Sequence, residues 1–177
     1  MRMVTKTNTG IRIIIHDKTM IQAILAKGEK KWNEKECERL LIEHPEWDKE
    51  MDEKSEYTAF MTACLYRQEH LALAMMDTGK ARVDYITPKD NISSFYWACY
   101  CGVPDVALRL IDMGVPVNIR VSTGKNAFDL LNAEKEPDED IDDYQQYHGE
   151  MEPVMERLET GKITILVRRA VPQKCPK

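Results

Sequence analysis

The sequence predicts an all-α chain assembled from one helical unit that occurs about four times along the chain. A six-residue segment of similar character begins at Thr58, Ser93 and Asn126, with starts that are 35 and 33 residues apart. Glycines recur in phase with this segment, and the apolar residues between them keep the spacing of one helix face. A fourth, weaker copy begins at Thr19. Self-similarity at this period indicates stacked units. The repeat therefore predicts a stack of helical units.

The six-residue segment marks the corresponding point of each unit. Its four copies read TMIQAI, TAFMTA, SSFYWA and NAFDLL. A phenylalanine stands third in the last three copies, and we expect Phe60, Phe95 and Phe128 to lie in the core. We expect Trp97, within the third copy, to be mostly buried between neighbouring units.

Glycine and proline mark where the helices of the best copy begin and end. Gly102 follows Ser93 by nine residues, and Gly114 follows it by twenty-one. Gly114 lies where a helix must stop and adopt a left-handed turn. Pro104 precedes DVALRLID at a first-turn position, where its missing N–H group has no cost.

The repeated unit resembles the ankyrin repeat, whose signature T-P-L-H-x-A lies in a unit of about 33 residues. The resemblance covers roughly residues 19–161, and is strongest from about 53 to 131. It implies a solenoid of about four repeats with atypical terminal caps, each repeat having a β-turn finger, a first helix, a turn and a longer second helix. Glu56 and Arg67 stand where the family has glycines, and no copy carries the usual histidine.

The two ends of the chain are predicted to be short strand-like segments outside the repeats. Residues 1–18 contain IRIII (Ile11 to Ile15), and residues 162–177 contain KITILVRR (Lys162 to Arg169). Both are rich in β-branched residues. Four stacked repeats would hold the ends tens of ångströms apart, so each end is expected to pack on its own cap or to pair with a partner strand. Residues from about 134 to 150 are an acidic insertion, which we expect to be solvated and partly disordered.

Composition argues against several classes of protein. The formal net charge of −5 disfavours a general nucleic-acid binder. No apolar run approaches the roughly 20 residues that span a bilayer, so no membrane partner is expected. The five cysteines are odd in number and include no CxxC pair, which is typical of packing residues in a reducing compartment. We therefore expect a cytoplasmic protein, or one delivered into the cytosol of a host cell.

No catalytic or metal-binding pattern is evident in the sequence. The four histidines are scattered, and GxSxG, P-loop and GxGxxG motifs are absent. Asp138, Asp140 and Asp142 match the first three ligand positions of an EF-hand loop. However, Asp143 and Gly149 stand where that loop needs glycine and glutamate. The sequence therefore predicts a protein that is not an enzyme and has no cofactor and no bound metal.

The resemblance implies a protein that binds another protein through a concave face, using finger tips and the exposed ends of first helices. Tyrosines beside basic residues are typical of interface hot spots, although some of these tyrosines could instead pack against the next finger. The residues predicted to contact the partner are Lys54, Tyr57, Leu65, Tyr66, Lys89, Asp90, Ile92, Tyr100 and Lys125.

Two functional hypotheses remain at this stage. By family analogy, the array is an inhibitor or scaffold that sequesters a signalling or transcription factor. The alternative is a structural or assembly subunit that docks through the acidic insertion and the terminal strands.

Overall fold

The structure is a computed structural model that describes residues 4–7, 10–13, 19–25, 34–44, 46–134 and 140–170. This part of the chain is mostly helical, which confirms the predicted all-α character. A 3-10 turn covers Trp47–Lys49, and a short antiparallel hairpin precedes the helices, with strands β1 (Val4–Thr7) and β2 (Gly10–Ile13). Its α-helices are α1 (Met20–Leu25), α2 (Glu34–Glu43), α3 (Ala59–Leu65), α4 (Glu69–Asp77), α5 (Ser94–Tyr100), α6 (Pro104–Asp112), α7 (Ala127–Leu131) and α8 (Ile141–Ala170).

The helices form two layers of consecutive pairs. The first layer contains α1, α3, α5 and α7, and each of these helices contacts the next one in the layer. The second layer contains α2, α4, α6 and α8, which contact one another in the same order. Each first-layer helix also contacts the second-layer helix that follows it in the chain. The four pairs therefore stack in chain order, and each pair buries its apolar faces against its neighbours.

Each first-layer helix begins at a residue whose side chain caps it. The side-chain oxygen accepts a hydrogen bond from the backbone N–H three residues on, at 3.2 Å for Thr19, 3.2 Å for Thr58, 3.1 Å for Ser93 and 3.0 Å for Asn126. Such a bond satisfies an N–H group that the helix itself leaves without a partner. The four predicted starts of the repeated segment are thus four helix caps.

A finger precedes each of α3, α5 and α7, and we call these the first finger (residues 51–58), the second finger (86–93) and the third finger (121–126). Antiparallel bridges join Met51 to Thr58 and Ile86 to Ser93. Within each finger a backbone N–H donates across the turn: Asp52 to Tyr57 at 2.9 Å, Thr87 to Ile92 at 2.9 Å and Val121 to Lys125 at 2.8 Å. These bonds place Tyr57, Ile92 and Lys125 at equivalent positions.

Left-handed backbone recurs at two points of the unit. One point lies in the finger, where φ is +60° at Glu56, +56° at Asn91 and +84° at Gly124. The other is the turn between the helices of a pair, where φ is +52° at Arg67 and +62° at Gly102. Glu56 and Arg67 therefore hold the left-handed conformation that the resemblance, with glycines at these two positions, implies.

The second-layer helices α4 and α6 begin and end as their sequences indicate. Gly79 and Gly114 follow these helices with φ of +69° and +75°. The left-handed turn predicted at Gly114 is confirmed. Pro104 is the first residue of α6, which confirms the predicted first-turn position.

The core lies between the two layers. Phe60 and Phe95 are each 1% exposed, as predicted, and Phe128 is half-buried against the same core. Trp97, expected to be mostly buried, is partly buried against this core, and its ring also contacts those of Tyr57 and Tyr100. The largest fully buried side chains include Met20, Ile24, Leu40, Trp47, Met61, Met75, Leu110, Leu131 and Met151.

Helix α8 corrects two predictions about the C-terminal part of the chain. Residues 162–169, predicted to be strand-like, continue this helix, and the helix starts at Ile141, within the predicted acidic insertion. Residues 135–139 of that insertion lie outside the described residues. The physical reason is the spacing of Met151, Val154 and Leu158, which are buried on one helix face against the preceding helices. The β-branched residues at the end of this packed helix adopt the helical conformation, because β-propensity depends strongly on context.

The predicted strand-like N-terminal segment is seen in part. Strand β2 contains Ile11 to Ile13 and pairs with β1, so that Val4 lies opposite Ile13. Ile14 and Ile15 lie outside the described residues.

Candidate functional site

Four aromatic side chains form a continuous group, which we call the aromatic cluster: Tyr57, Tyr96, Trp97 and Tyr100. The Trp97 ring lies 5.5 Å from Tyr57, 6.0 Å from Tyr96 and 5.4 Å from Tyr100, in each case edge to face. Tyr96 and Tyr100 are stacked with centroids 6.3 Å apart. These distances fall in the range where aromatic pairs attract each other, so the cluster is a preformed surface.

The cluster is assembled from one helix and one finger. On α5, Tyr96 lies four residues before Tyr100 and Trp97 lies three residues before it. Residues at these spacings are neighbours on a helix surface, so all three rings lie on the side of α5 around Tyr100. The first finger places Tyr57 against Trp97. Tyr100 is 56% exposed and the other three residues are half-buried. A rigid aromatic surface is thus open to solvent on the first-layer side.

Burial determines the ionisation of the cluster's tyrosines. It raises the pKa of Tyr57, the nearby Asp90 carboxylate raises it further, and the Trp97 indole N–H opposes the rise. Burial also raises the pKa of Tyr96, with a smaller contribution from Tyr100. Both hydroxyls are therefore protonated at neutral pH and can donate hydrogen bonds to a ligand.

A groove adjoins the cluster between α1 and the first finger, with a volume of about 210 Å³. Leu65 and Tyr66, at the end of α3, line it together with Tyr57, and Ile21 and Leu25 of α1 form the opposite side. The groove continues into a wider cleft of about 550 Å³ along the first finger. The structure thus brings three of the predicted partner-contacting residues into one concave surface.

Asp52 lines both the groove and the cleft, and its carboxylate is held in place by its own finger. It accepts hydrogen bonds from the Ser55 hydroxyl at 2.6 Å and from the Ser55 backbone N–H at 2.8 Å. These bonds, the hydroxyl first, hold the pKa of Asp52 below its ordinary value. Asp52 is therefore a fixed negative charge in the groove at neutral pH.

The other predicted contact residues are distributed along the fingers. Lys54, Lys89 and Lys125 are exposed on the first, second and third fingers. Asp90 and Ile92 are half-buried in the second finger. The backbone carbonyl of Asp90 accepts a hydrogen bond from the Ser122 N–H at 2.9 Å, which ties the second finger to the third.

Sequence reasoning did not select Tyr96 and Trp97 as binding residues, although both belong to the aromatic cluster. Their spacing from Tyr100, four and three residues, was the available signal, because residues at that spacing share a helix face. The spacing does not say whether another element covers that face of α5. The position of the neighbouring first finger decides it.

Three thiols of the described residues, those of Cys64, Cys99 and Cys101, are poor nucleophiles. Cys64 and Cys99 are buried, and Cys101 is half-buried. Burial raises the pKa of Cys64 and Cys99 far above the ordinary value, and it raises the pKa of Cys101 to about 11. Since the thiolate is the reactive form, these cysteines serve as packing residues.

The described residues contain no group of three or more His, Cys, Asp or Glu side chains placed to hold a metal ion. None of the helices described, α8 included, is long and apolar enough to cross a bilayer.

The chain matches no known protein-family model, and a search of curated proteins finds none that is significantly similar to it.

Proposed function

We propose that the chain is an ankyrin-type repeat protein that binds another protein through its first-layer face. Three repeating features support this proposal: a capped first helix, a left-handed residue in the finger and a left-handed residue between the helices of a pair. The two-layer stacking of consecutive pairs supports it as well. Each feature returns at the same point of the unit, as a repeat array requires.

The observation that carries the binding function is the aromatic cluster. Tyrosine and tryptophan supply large contact areas at a low cost in side-chain entropy, and they dominate interface hot spots. Here four such rings are already packed against one another before any partner binds. Tyr66, 37% exposed, and the groove extend this surface over the preceding unit. The proposed partner therefore contacts at least two units.

The proposed setting is intracellular, and the form of binding that the family analogy favours is sequestration of a signalling factor. The thiols of Cys64, Cys99 and Cys101, which form no disulfide, are compatible with a reducing compartment. In this proposal the chain binds its partner and catalyses no reaction. Binding through aromatic and groove residues needs neither a nucleophile nor a metal.

The test is capture of a partner from a lysate of the native host, comparing wild type with Tyr100→Ala. Tyr100 is largely exposed, so we expect this variant to keep its fold, which circular dichroism checks. The matched control is Met113→Ala, because Met113 is 54% exposed at the end of α6 in the other layer. We expect the partner to be lost with Tyr100→Ala and retained with Met113→Ala.

Equal capture by wild type and Tyr100→Ala would contradict the proposed binding face. Loss of that captured partner at high salt would then favour the alternative, an assembly subunit that docks through charge. The exposed Asp140, Asp142 and Asp143 around the start of α8 are the place where such docking would be examined.

A further inference from the structure

The groove between α1 and the first finger is lined by aliphatic and aromatic side chains. Ile21, Leu25 and Leu65 supply aliphatic surface, and Leu25 is 41% exposed. Tyr57 and Tyr66 stand on the side of the first finger and α3. This part of the groove suits the carbon atoms of a long side chain.

The wider cleft that continues from the groove is acidic. Glu50, Asp52 and Glu53 line it, and Lys54 is the cation among the described lining residues. Glu50 is held by the Ile21 backbone N–H, which donates to its carboxylate at 3.2 Å, and His44 lies 3.5 Å from its other oxygen. Glu53 is exposed and faces solvent. An incoming cation would therefore meet two anchored carboxylates and one exposed carboxylate.

The apolar groove followed by the acidic cleft favours one kind of side chain as the ligand. An aliphatic or aromatic anchor would fill the apolar part of the groove but bring no counter-charge to the carboxylates, and an acidic side chain would be repelled. Arginine combines an apolar stem with a planar cation that stacks on aromatic rings and bonds carboxylates through two N–H groups. Lysine offers the stem but not the planar, two-pronged cation.

We propose that this groove binds an arginine side chain of the partner protein, with its stem on Ile21 and Leu25 and its guanidinium directed to Asp52 and Glu53. The proposal rests on the proposed binding function and adds the chemical class of the anchor residue. Asp52 is suited to this role because its bonds to Ser55 already fix its orientation. The tyrosines beside it supply the faces on which a cation is attracted to a ring.

The experiment is an NMR titration of the full chain with N-acetyl-arginine amide. N-acetyl-citrulline amide is the matched control, because citrulline has nearly the same shape and no charge. We expect the arginine probe to shift the methyl signals of Ile21, Leu25 and Leu65. We expect the citrulline probe to bind roughly tenfold more weakly, the loss expected for a charged hydrogen bond of about 1.5 kcal/mol.

Two single variants change the charge of the cleft in opposite directions. Glu53→Gln should weaken arginine binding by roughly threefold, and Lys54→Gln should strengthen it by a similar factor. Both side chains are exposed, so the fold does not depend on them. Glu134→Gln, exposed after α7, is the control for a change in net charge alone and should leave the affinity unchanged.

The proposal is overturned if citrulline binds as tightly as arginine, if the shifted signals lie away from the groove, or if the two variants change affinity in the same direction. Its failure differs from failure of the proposed function, because Tyr100 lies outside the groove lining. If arginine fails to bind while Tyr100→Ala still removes the captured partner, the arginine proposal is wrong and the binding face stands. If arginine binds but capture ignores Tyr100, the binding face is wrong and the arginine site stands.

Discussion

At the scale of single residues, Glu56 and Arg67 hold a left-handed backbone without being glycine. This conformation costs an L-residue about 1–2 kcal/mol. Arg67 offsets the cost, because its guanidinium donates to the Gly102 carbonyl at 3.3 Å and to the Glu150 carboxylate at 3.0 Å. Glu56 has no such compensation, since one carboxylate oxygen is buried without a hydrogen-bond partner in the described part of the chain.

Glu56→Gly is expected to raise the free energy of unfolding by about 1 kcal/mol. The change removes the backbone strain and the buried oxygen, and these gains exceed the entropy that glycine adds to the unfolded chain. Urea denaturation measures the effect. Glu53→Gly, in the same finger at a residue without positive φ, is the control and should not stabilise. A lower stability for Glu56→Gly would show that its side chain contributes more than the strain removes.

The buried acids predict how stability depends on pH above neutrality. Burial raises the pKa of Cys64, Cys99 and Tyr147, so these groups stay protonated in the folded state when they have ionised in the unfolded state. The contribution of the thiols is fully present below their unfolded pKa of about 8.5 and is lost as the pH rises above it, and that of Tyr147 is lost above its unfolded pKa of about 10. Each thiol then lowers the free energy of unfolding by about 1.4 kcal/mol per pH unit.

Urea denaturation between pH 7 and pH 10 measures this loss of stability. Cys64→Ala should flatten the dependence above pH 8.5 relative to wild type, after its own cavity cost is subtracted at pH 7. A stability that is constant across this range would mean that the thiols ionise in the folded protein.

At the scale of elements, the first-layer helices depend on their caps because they are short. α3 and α5 each span seven residues, and α7 spans five. Helices of that length are unstable alone. Tertiary packing and the capping side chain together define where they begin.

Adjacent serines at the start of α5 provide a matched test of the cap. Ser93→Ala removes the acceptor of the Tyr96 N–H and should lower the free energy of unfolding by about 1 kcal/mol. Ser94→Ala removes a buried hydroxyl that has no hydrogen-bond partner in the described residues, so it should be neutral or stabilising. Thermal or urea unfolding of the two variants decides the matter, and equal effects would contradict the assigned cap.

At the scale of the whole molecule, charged contacts link one helix pair to the next. Arg109 of α6 contacts Asp77 of α4 at 2.5 Å, and Arg157 of α8 contacts Asp112 of α6. Arg67 reaches across the third pair to Glu150 of α8. These contacts add to the shared core in holding the stack together.

Of these three contacts, the one between Arg67 and Glu150 joins the residues that are furthest apart in the sequence. The charge of Glu150 can be removed without changing the shape of its side chain. Glu150→Gln should lower the free energy of unfolding by about 0.5 kcal/mol, the ordinary value of a partly exposed ion pair. Glu152→Gln, exposed on the same helix, is the control and should change stability by less. A double-mutant cycle with Arg67→Gln isolates the pair, and zero coupling would show that the contact is not energetically significant.

The sequence alone determined the all-α character and the starts of the first-layer helices. The spacing of the six-residue segment marks Thr19, Thr58, Ser93 and Asn126 as equivalent, because apolar residues at helical spacing are a local pattern that recurs from copy to copy. The same locality explains why Gly114 and Pro104 were interpreted correctly: a helix end needs few neighbours to define it.

Only the tertiary structure decided the fate of residues 162–169, the half-buried position of Trp97 and the groove beside α1. A β-branched segment can follow a helix or a strand, and the packing of Met151, Val154 and Leu158 selects the helix. Trp97 and Tyr57 are far apart in the sequence and meet because the first finger folds against α5. Exposure, grooves and charge clusters arise from such distant contacts, and local sequence patterns do not contain them.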